Sequence, residues 1–428
     1  MDFAIDIRFD SGMIDFLKTK DLFYRSGTII EARDLLLIAT GPNLPIGSSV
    51  NISQKIIGTV VGYDARGVLI MPNGPVSGVK AGDVVENRLQ PPPSISLGSV
   101  VDSLGKRINE ETYNSEEEFI YSSKRPDPLE RRQISSIFPT GVRAIDGITT
   151  VGLGQRMGIF SSAGLGKTTM MGMIARHSIA DVNVIGLIGE RGREVGDFLS
   201  RDLGEKIDKS VVVVATSDEH PMSRLNAAEL TQSIAEHYRN KGKNVLMLLD
   251  SLTRLAHAKR EVGLILGEPP TTRGFPPSVF TMFPALVERA GTAPVGSITA
   301  FYTFLTDGDG TADDPIADHV KSILDGHIVL DRRIAESGIY PPLNITKSIS
   351  RLMPDIVSEE HNKKALTIRK AISLYEEYRD AIEIGAYRGG NQDIDNAIAV
   401  RAKMDSFMNQ SPDDESSFEK TLGDLYAI

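Results

Sequence analysis

The sequence predicts an α/β fold in which a mostly parallel sheet with flanking helices is preceded by a small β-barrel and followed by a helical domain. Short β-rich runs broken by Gly, Pro and Asn occupy residues 27–89, a spacing typical of a small barrel. From residue 98 to 352, continuous apolar runs alternate with helical patterns, as expected for strands covered on both faces. Beyond Pro354 the strand signal fades. The predicted domains are residues 1–91, 92–353 and 354–428.

The barrel is expected to form from short strands separated by turns. The candidate strands are GTIIEA, LLLIATG, SSVNI, IIGTVVGY, GVLIMPNG and GDVVEN. Pro91, Pro92 and Pro93 follow them, and consecutive prolines make a stiff, extended segment. We therefore expect a domain boundary at this connector.

The central domain is expected to contain buried strands that are apolar along their whole length. The candidates are RMGIFS, VNVIGLIG, SVVVVAT, NVLMLLD, GSITAFYTFL and GHIVLD. In the C-terminal region, residues recur at helical spacing in a stripe that polar Arg379 interrupts. Its other members are Ile368, Ile372, Tyr375 and Ile382. Core packing explains such a stripe better than a binding role. Residues 411–417, SPDDESS, predict a solvated linker.

Composition excludes several classes of protein. The net charge of −10 across 428 residues argues against a non-specific binder of nucleic acid. The absence of cysteine excludes disulfides and thiolate metal sites and fits a reducing compartment. No apolar run approaches the roughly 20 residues that cross a bilayer, and the N-terminus carries aspartates where a signal peptide is basic. We expect a cytoplasmic protein whose membrane contact runs through partners.

The strongest local signal is a phosphate-binding loop within RMGIFSSAGLGKTTMMGMIARHS. A strand ends at Phe160, a loop of small residues follows, and Lys167 begins a helix, which is the context that this motif requires. Gly164 and Gly166 allow backbone N–H groups to turn toward phosphate oxygens, and the helix N-terminus adds a favourable dipole. Lys167 can reach the β- and γ-phosphates, and the Thr168 hydroxyl can bind Mg²⁺. The domain is therefore predicted to be a P-loop NTPase core.

One position departs from the usual motif. Ser161 stands where the pattern has its first glycine, and a small residue is tolerated there if its φ stays negative. An incidental glycine-rich turn is the alternative interpretation, but the strand–loop–helix context and the Lys-Thr pair favour a nucleotide site. The loop residues expected to hold ATP are Ser162, Ala163, Gly164, Leu165, Gly166, Lys167, Thr168 and Thr169.

Two acidic residues at strand ends are candidates for the chemistry. Asp250 ends the apolar strand NVLMLLD and could hold Mg²⁺ through water, although aspartate also ends strands as a turn former. Glu190 follows VIGLIG, and a carboxylate beside the γ-phosphate can orient or deprotonate the attacking water. Alternatively, Glu190, Arg191, Arg193 and Glu194 form a solvated charged turn. Spacing alone leaves both interpretations of Glu190 open.

Several long motifs occur together and in one order along the chain. They are SSAGLGKTT, LIGERGREV, LLDSLTRLAHAKREV, GEPPTTRGFPPSVF, GSITAFYTFL, DDPIADHVKSILDGHIVLDRR and GIYPPLNITKSISR. Together they resemble the type III protein-export ATPases of flagella and injectisomes, which are relatives of the catalytic subunits of rotary ATP synthases. The resemblance covers roughly residues 27–388 and is most specific between residues 140 and 351.

The resemblance implies roles for individual residues. Glu190 matches the family's catalytic carboxylate. Arg191 and Glu194 match residues that line the same pocket, which implies a catalytic role for Arg191 and a metal-binding role for Glu194. Tyr340 resembles the ring that packs on adenine, against the alternative of an ordinary half-buried aromatic. Arg351 matches an arginine finger donated into the neighbouring subunit's site, where a planar guanidinium meets the charge of the γ-phosphate. From sequence alone, Arg351 could equally be a surface arginine.

The resemblance also implies a system and its partners. A hexameric homo-oligomer would hydrolyse ATP with Mg²⁺ and act with a regulatory stator protein, a central stalk protein, export-gate membrane proteins and cargo–chaperone complexes, without direct nucleic acid binding. Residues 1–20 would contact the stator protein. Residues 267–277 are too rich in Pro and Gly for a helix or strand and would face the central channel. The stretch GEPPTTRGFPPSVF favours the flagellar system over the injectisome.

Three other functions were weighed. A catalytic subunit of a rotary proton or sodium ATPase is disfavoured by GERGREV, DDPIADHVKSILDGHIVL and a relatively short N-terminal region. A ring translocase of nucleic acid shares this fold class, but the acidic balance and the lack of an RNA-binding signature count against it. A non-catalytic subunit is disfavoured because Lys167 and Glu190 are both present.

Overall fold

The structure is a computed structural model that forms two compact units, Met1–Gln90 and Pro91–Ile428. The residues that it describes are 25–88, 95–108, 126–306 and 314–428. The predicted proline connector and the N-terminal segment proposed for the stator protein lie outside these residues. The helical region after residue 353 belongs to the same compact unit as the nucleotide-binding sheet.

The first unit is a closed antiparallel barrel, as predicted. Its strands are β1 (Ser26–Ala32), β2 (Leu37–Ala39), β3 (Ser49–Ile52), β4 (Ile56–Asp64), β5 (Gly67–Pro72) and β6 (Val84–Asn87). They are ordered β1-β2-β5-β4-β3-β6, and β6 pairs with β1 to close the barrel. Alternate residues such as Val50 and Ile52 point inward and form a small apolar core with Ile29, Val60 and Val85.

The second unit is built on a nine-stranded sheet. Its strands are β7 (Val100–Val101), β8 (Arg156–Ser161), β9 (Val182–Glu190), β10 (Ser210–Thr216), β11 (Asn244–Asp250), β12 (Gly291–Thr292), β13 (Ser297–Leu305), β14 (Gly326–Val329) and β15 (Ile349–Ser350). The order is β15-β14-β8-β13-β11-β9-β10-β7, with β12 paired to β13. All pairings are parallel except β15 with β14 and β12 with β13. The predicted mostly parallel sheet is confirmed.

Both faces of this sheet are covered, which explains the continuous apolar strands. In β11, Leu246 and Leu248 belong to one hydrophobic core, whereas Val245, Met247 and Leu249 belong to a second core. Adjacent residues of a strand point to opposite faces, so each face needs its own apolar set. A strand buried on both sides therefore shows no alternation in its sequence.

Helices flank the sheet and continue to the C-terminal region. Their bounds are α1 (Arg143–Ile148), α2 (Lys167–His177), α3 (Gly192–Asp197), α4 (Pro221–Asn240), α5 (Leu252–Ile265), α6 (Pro277–Val287), α7 (Pro315–Ile323), α8 (Arg332–Glu336), α9 (Met353–Ile356), α10 (Glu359–Glu383), α11 (Gln392–Met408) and α12 (Phe418–Tyr426). Several begin at a side-chain cap, as at Ser251, Ser358 and Asn391. Within the described ranges no helix is both long and apolar enough to span a bilayer.

The C-terminal helices pack on the same face of the sheet as α2. Ile368 and Ile372 of α10 share one buried core with Met404 of α11 and with Met170 of α2. The predicted helical stripe is therefore a packing surface at its N-terminal end, where Ile368 and Ile372 are buried. Toward its C-terminal end, Tyr375, Arg379 and Ile382 are only partly buried. This shared core brings residues near the end of the chain close to the phosphate-binding loop.

Candidate active site

The candidate site lies where neighbouring parallel strands end. Strands β8, β13, β11 and β9 are adjacent in that order, so their carboxyl ends meet at one edge of the sheet. β8 continues into the phosphate-binding loop, β11 ends at Asp250 and β9 ends at Glu190. The topology thus gathers three motifs that are far apart in the sequence.

The loop has the backbone conformation that its glycines predict. Gly164 and Gly166 have φ angles of 81° and 76°, in the left-handed region that favours glycine. A Cβ atom at Gly164 would meet nothing within 4 Å, so conformation rather than space requires glycine there. Ser161 ends β8, and only Ser53, Gln54 and Arg273 combine a side chain with positive φ in the described part of the chain. The serine in place of the usual glycine is therefore tolerated without strain.

Lys167 is held between two carboxylates. Its Nζ donates a hydrogen bond of 2.5 Å to Asp250 Oδ1 and lies 3.6 Å from Glu190 Oε1. Thr303 Oγ1 donates to the same Asp250 oxygen at 2.6 Å. Asp250 is 1% exposed, and a buried carboxylate needs such partners to remain charged. The ammonium group is thereby fixed beside the phosphate-binding loop.

Glu190 has the properties of a proton acceptor. Burial, reinforced by the charge of Asp250, raises its pKa to about 7, although Lys167 acts in the opposite direction. Its Oε1 is buried without a hydrogen-bond partner, which leaves an acceptor for a water or a ligand. A carboxylate with a pKa near neutrality in a cleft is a candidate general base.

The residues around Glu190 explain its placement. Gly189 has a φ of 75°, and a Cβ there would lie 2.7 Å from Arg254 Cβ. Glycine thus allows the side chain of Arg254 to pack against the strand end. Arg254 Nε is itself buried without a hydrogen-bond partner. Neither Arg254 nor Thr303 was expected from the sequence, because each is defined by a contact with a different strand.

Arg191 and Glu194 lie beside Glu190 on its exposed side. The Arg191 guanidinium is 79% exposed and lies 3.8 Å from Glu194 Oε1. The hydrogen bond that the protonated carboxyl of Glu190 donates to Glu194, and the negative charge of Glu194, both raise the pKa of Glu190. The catalytic role predicted for Arg191 and the metal role predicted for Glu194 remain predictions.

A cavity of about 530 Å³ lies on the other side of the loop, a size that suits a nucleotide base and its sugar. It is lined by Gly164, Gly166, Thr169, Met170, Met173, Tyr340, Pro341, Asn409, Gln410, Ser411 and Pro412. The Tyr340 ring lies over Gly166, where an added Cβ would be 3.8 Å away. Tyr340 is 45% exposed, so its ring face is available for stacking. Its predicted contact with adenine remains a prediction.

One wall of this cavity was not predicted. Gln410 N donates to Tyr340 O at 2.8 Å, and Gln410 Nε2 donates to Gly141 O at 2.8 Å. The backbone N–H of Arg143 donates to Gln410 Oε1 at 2.9 Å. Residues 411–415 of the predicted linker are exposed, but Ser416 is buried and Ser417 caps α12, so the solvated part is shorter than the predicted 411–417. Ser411 and Pro412 also line the cavity. No local pattern signals this role, because it depends on packing between distant segments.

Arg351 lies apart from this cluster. It follows β15, is exposed, and donates from its guanidinium to Lys321 O at 3.3 Å. Its backbone N–H donates to Asp325 O at 3.0 Å. Among the described residues, no hydrogen bond or ion pair joins it to Lys167 or Glu190. The structure therefore brings together Lys167, Asp250 and Glu190 but not Arg351, whose role remains a prediction.

The site offers oxygen ligands that suit a hard divalent cation, with the substrate supplying the rest of the coordination shell. Across the described residues there is no group of three or more His, Cys, Asp or Glu side chains that could bind a metal by themselves. Mg²⁺ commonly uses one or two carboxylates and takes its other ligands from phosphates and water. The Thr168 hydroxyl, at the second residue of α2, and the buried Asp250 carboxylate are donors of the right kind.

The sheet, the phosphate-binding loop and the buried carboxylates define a P-loop ATPase. Residues 141–350 match the nucleotide-binding domain of the ATP synthase alpha/beta family, and residues 357–427 match the C-terminal domain of the type III secretion ATPase EscN. The flagellum-specific ATP synthase of Bacillus subtilis is 42% identical, over 97% of this chain and 98% of that protein. The type 3 secretion system ATPase of Xanthomonas euvesicatoria is also 42% identical, over 94% of each chain.

Solved structures agree with these relatives. The assembled ATPase EscN from the type III secretion system of enteropathogenic E. coli matches with a TM-score of 0.87 at 42% identity, covering 94% of this chain and 99% of EscN. EscN in complex with its central stalk EscO matches with a TM-score of 0.85. The chain belongs to the family of flagellar and type III secretion ATPases, and it is an ATP-hydrolysing enzyme.

Proposed function

We propose that this chain forms a hexameric ring that hydrolyses ATP at sites shared between subunits and thereby energises type III protein export. The observation that carries the proposal is the buried ammonium of Lys167 between Asp250 and Glu190, with one Glu190 oxygen left without a hydrogen-bond partner. A cation beside the loop binds the phosphates, and the open carboxylate oxygen accepts a hydrogen bond from water.

Each step is assigned to a side chain of this site. Lys167 binds the β- and γ-phosphates, and Thr168 and Asp250 are the residues that would hold Mg²⁺. When bound, the metal neutralises phosphate charge. Glu190 orients the attacking water and accepts its proton as the bond to the leaving ADP breaks. Tyr340 packs on the adenine ring above the loop.

The neighbouring subunit supplies Arg351 in this proposal. A finger must project from the surface of its own subunit. Arg351 is exposed, and among the described residues its side chain donates to the backbone carbonyl of Lys321. Such arginines contribute on the order of 10³–10⁵ in rate by meeting the charge of the transition state. The hexamer is proposed by analogy with EscN, which has been solved in its assembled form.

The proposed system is the flagellar export apparatus rather than an injectisome. The stretch GEPPTTRGFPPSVF supports it, whereas the flagellar and type 3 secretion relatives are equally similar at 42% identity. A central stalk protein is proposed as a partner because EscN has been solved with its stalk EscO. Residues 267–276 contain neither α-helix nor strand, apart from a 3-10 turn at Thr272–Gly274, whereas Pro277 already begins α6. We propose that residues 267–277 face the central channel. Family membership alone supports the remaining proposals. These are the stator, export-gate and cargo–chaperone partners, and a location at the inner face of the membrane through partners.

The main alternative is a catalytic subunit of a rotary proton or sodium ATPase. The match of residues 357–427 to the secretion ATPase C-terminal domain favours export. Copurification with a membrane proton channel, rather than with flagellar export proteins, would contradict our proposal. Deletion of the gene is expected to abolish filament export while leaving proton-driven ATP synthesis unchanged.

Glu190→Gln tests the chemistry directly. The amide keeps the shape of the side chain but cannot accept a proton, so turnover should fall at least about a hundredfold while ATP remains bound. Single-turnover hydrolysis and equilibrium nucleotide binding measure the two properties separately. Glu205→Gln is the matched control, since it makes the same change at an exposed position before the start of β10, and it should leave turnover unchanged. Normal turnover in Glu190→Gln would remove Glu190 from its proposed role.

A further inference from the structure

The guanidinium of Arg369 joins three segments of the second unit. Arg369 lies in α10 and donates to the carbonyls of Ile345 and Ser348, the latter at 2.7 Å. It also donates to Ile148 O at 2.8 Å and to Thr149 Oγ1 at 3.2 Å, at the end of α1. One side chain thus connects the C-terminal helical region to the nucleotide-binding domain.

The partners of Arg369 are unusual for an arginine. They are three backbone carbonyls and a hydroxyl, and burial lowers the pKa of Arg369 to about 10 without a compensating carboxylate. Burying a charge in this way is costly unless its hydrogen bonds are well formed. The rigid fork of a guanidinium can satisfy several carbonyls at fixed angles, which a lysine cannot do. These hydrogen bonds therefore fix the relative positions of the three backbone segments rather than neutralise the charge of Arg369.

The segment held by Arg369 leads directly to Arg351. Ser348 and Arg351 are separated by Ile349 and Ser350, which form the edge strand β15. On the opposite side from Arg369, Ser348 Oγ accepts a hydrogen bond of 3.0 Å from the backbone N–H of Val329 in β14. The segment is thus held between the sheet and α10.

The base of Arg351 is fixed to the sheet in the same region. Its N–H donates to Asp325 O, and the Asp325 carboxylate accepts two hydrogen bonds from the Arg156 side chain, at 2.9 and 3.0 Å. The Arg351 side chain itself is exposed. Its direction therefore depends on how the backbone of residues 345–351 is held, and Arg369 is the only α10 side chain for which a described hydrogen bond reaches that segment.

We propose that Arg369 is a positioning residue for Arg351, so that α10 controls how the finger enters the neighbouring subunit's site. The inference rests on the proposed function, because it requires Arg351 to act between subunits. A displacement of α10 would move Ile345 and Ser348 with it, and a misplacement of about 1 Å at a reacting group can cost on the order of a hundredfold in rate. The helical region would thereby regulate hydrolysis at the neighbouring subunit's site, while the phosphate-binding loop of its own subunit stays unchanged.

The first experiment uses Arg369→Met in the full-length assembled protein. Nucleotide affinity should stay within about twofold, because the phosphate-binding loop is untouched, whereas kcat should fall roughly tenfold to a hundredfold. Lys370→Met is the matched control, since it removes a neighbouring charge from an exposed position of the same helix. It should leave both quantities unchanged. Equal losses of affinity and kcat in Arg369→Met would indicate a general structural defect and overturn the proposal.

The second experiment mixes variant subunits before assembly. In a mixture of Arg369→Met with Glu190→Gln, some sites combine the intact Glu190 of the first variant with the correctly held Arg351 of the second. Activity should therefore exceed the sum of the separate rates by at least about threefold. A mixture of Arg369→Met with Arg351→Ala should show no gain, because every finger in that ring is defective.

The outcomes separate the two proposals. If Arg351→Ala mixed with Glu190→Gln gains no activity, the shared site itself is wrong. If that mixture gains activity but Arg369→Met with Glu190→Gln does not, only the role of Arg369 is overturned. Should Arg369→Met fail to fold, the same mixtures are made with Arg369→Lys, which retains the charge but not the fork. A gain in the mixture of either Arg369 variant with Arg351→Ala would also overturn the inference.

Discussion

The two halves of the proposed active site are built in opposite ways. Lys167 and Asp250 are buried, in direct contact, and fixed by strands of one sheet. Arg351 is exposed, and its side chain donates a hydrogen bond to the backbone carbonyl of Lys321. The comparison indicates that one subunit can organise the phosphate and water side of the reaction alone. The positive charge that completes the transition state would then be available only after assembly.

The largest effect is expected at the buried half. Lys167→Ala removes the cation from the phosphate-binding loop and should abolish tight ATP·Mg²⁺ binding, a loss of about a thousandfold or more in affinity. It also leaves Asp250 with Thr303 as its remaining described side-chain donor, so the melting temperature without nucleotide should fall. Isothermal titration and thermal unfolding measure the two effects. Unchanged nucleotide affinity would contradict the assignment of the loop.

The exposed half should show a large rate effect without a stability effect. Arg351→Ala should lower kcat by about a thousandfold in the assembled protein, the lower end of what an arginine finger contributes. Its free energy of unfolding should change by no more than about 0.5 kcal/mol, as for other surface substitutions. Steady-state kinetics and denaturant unfolding test this contrast. If Arg351→Ala lost as much stability as Lys167→Ala, the proposed contrast between a buried and an exposed half of the site would be wrong.

A smaller effect is expected from pH. Because the pKa of Glu190 is raised to about 7, the carboxylate is mostly protonated at pH 6 and cannot accept the proton of the attacking water. The value of kcat/KM should therefore rise with pH, by about tenfold per unit well below pH 7, and level off above it. Glu190→Gln should show a flat profile over the same range. A wild-type profile without this inflection would argue against Glu190 as the base.

The smallest effect is expected at the base cavity. Tyr340→Ala removes one stacking surface and should raise the KM for ATP by about tenfold with little change in kcat. Tyr340→Phe is the matched control and should behave like the wild type, because it keeps the ring. A drop in kcat at constant KM would show that Tyr340 acts on the chemistry rather than on binding the base.

Much of this fold was predictable because its signals are local. The runs RMGIFS and NVLMLLD correspond residue for residue to β8 and β11, since apolar runs bounded by turn residues mark buried strands. Serine at position 161 was predicted to be tolerated if its φ is negative, and the structure meets this condition. The strand continues one residue beyond its predicted end at Phe160 and ends at Ser161. The barrel was confirmed for the same reason, with turns separating each short strand.

The parts that escaped prediction depend on contacts across the chain. Gln410 lies just before the predicted solvated linker at residues 411–417 and was not singled out from the sequence, yet it fixes a wall of the base cavity through Gly141 and Tyr340. Thr303 is one polar residue in an apolar strand, and its bond to Asp250 follows from strand order. Arg369 sits on a helix whose pattern shows packing alone. No spacing rule can give such pairings, because they arise only when the sheet is assembled.

One wall of the base cavity is formed by residues near the C-terminal end of the sequence, which are synthesised last, and this has a consequence for biosynthesis. Arg143 and Gln410, whose hydrogen bond anchors that wall, lie 267 residues apart along the chain. At ordinary translation rates, roughly 15 to 50 s pass between the appearance of the first partner and that of the second. A ribosome-bound intermediate would have its phosphate-binding loop but no closed compartment for the base. Such an intermediate is expected to bind nucleotide more weakly than the finished enzyme, because one wall of the base cavity would be missing until the final helices have docked.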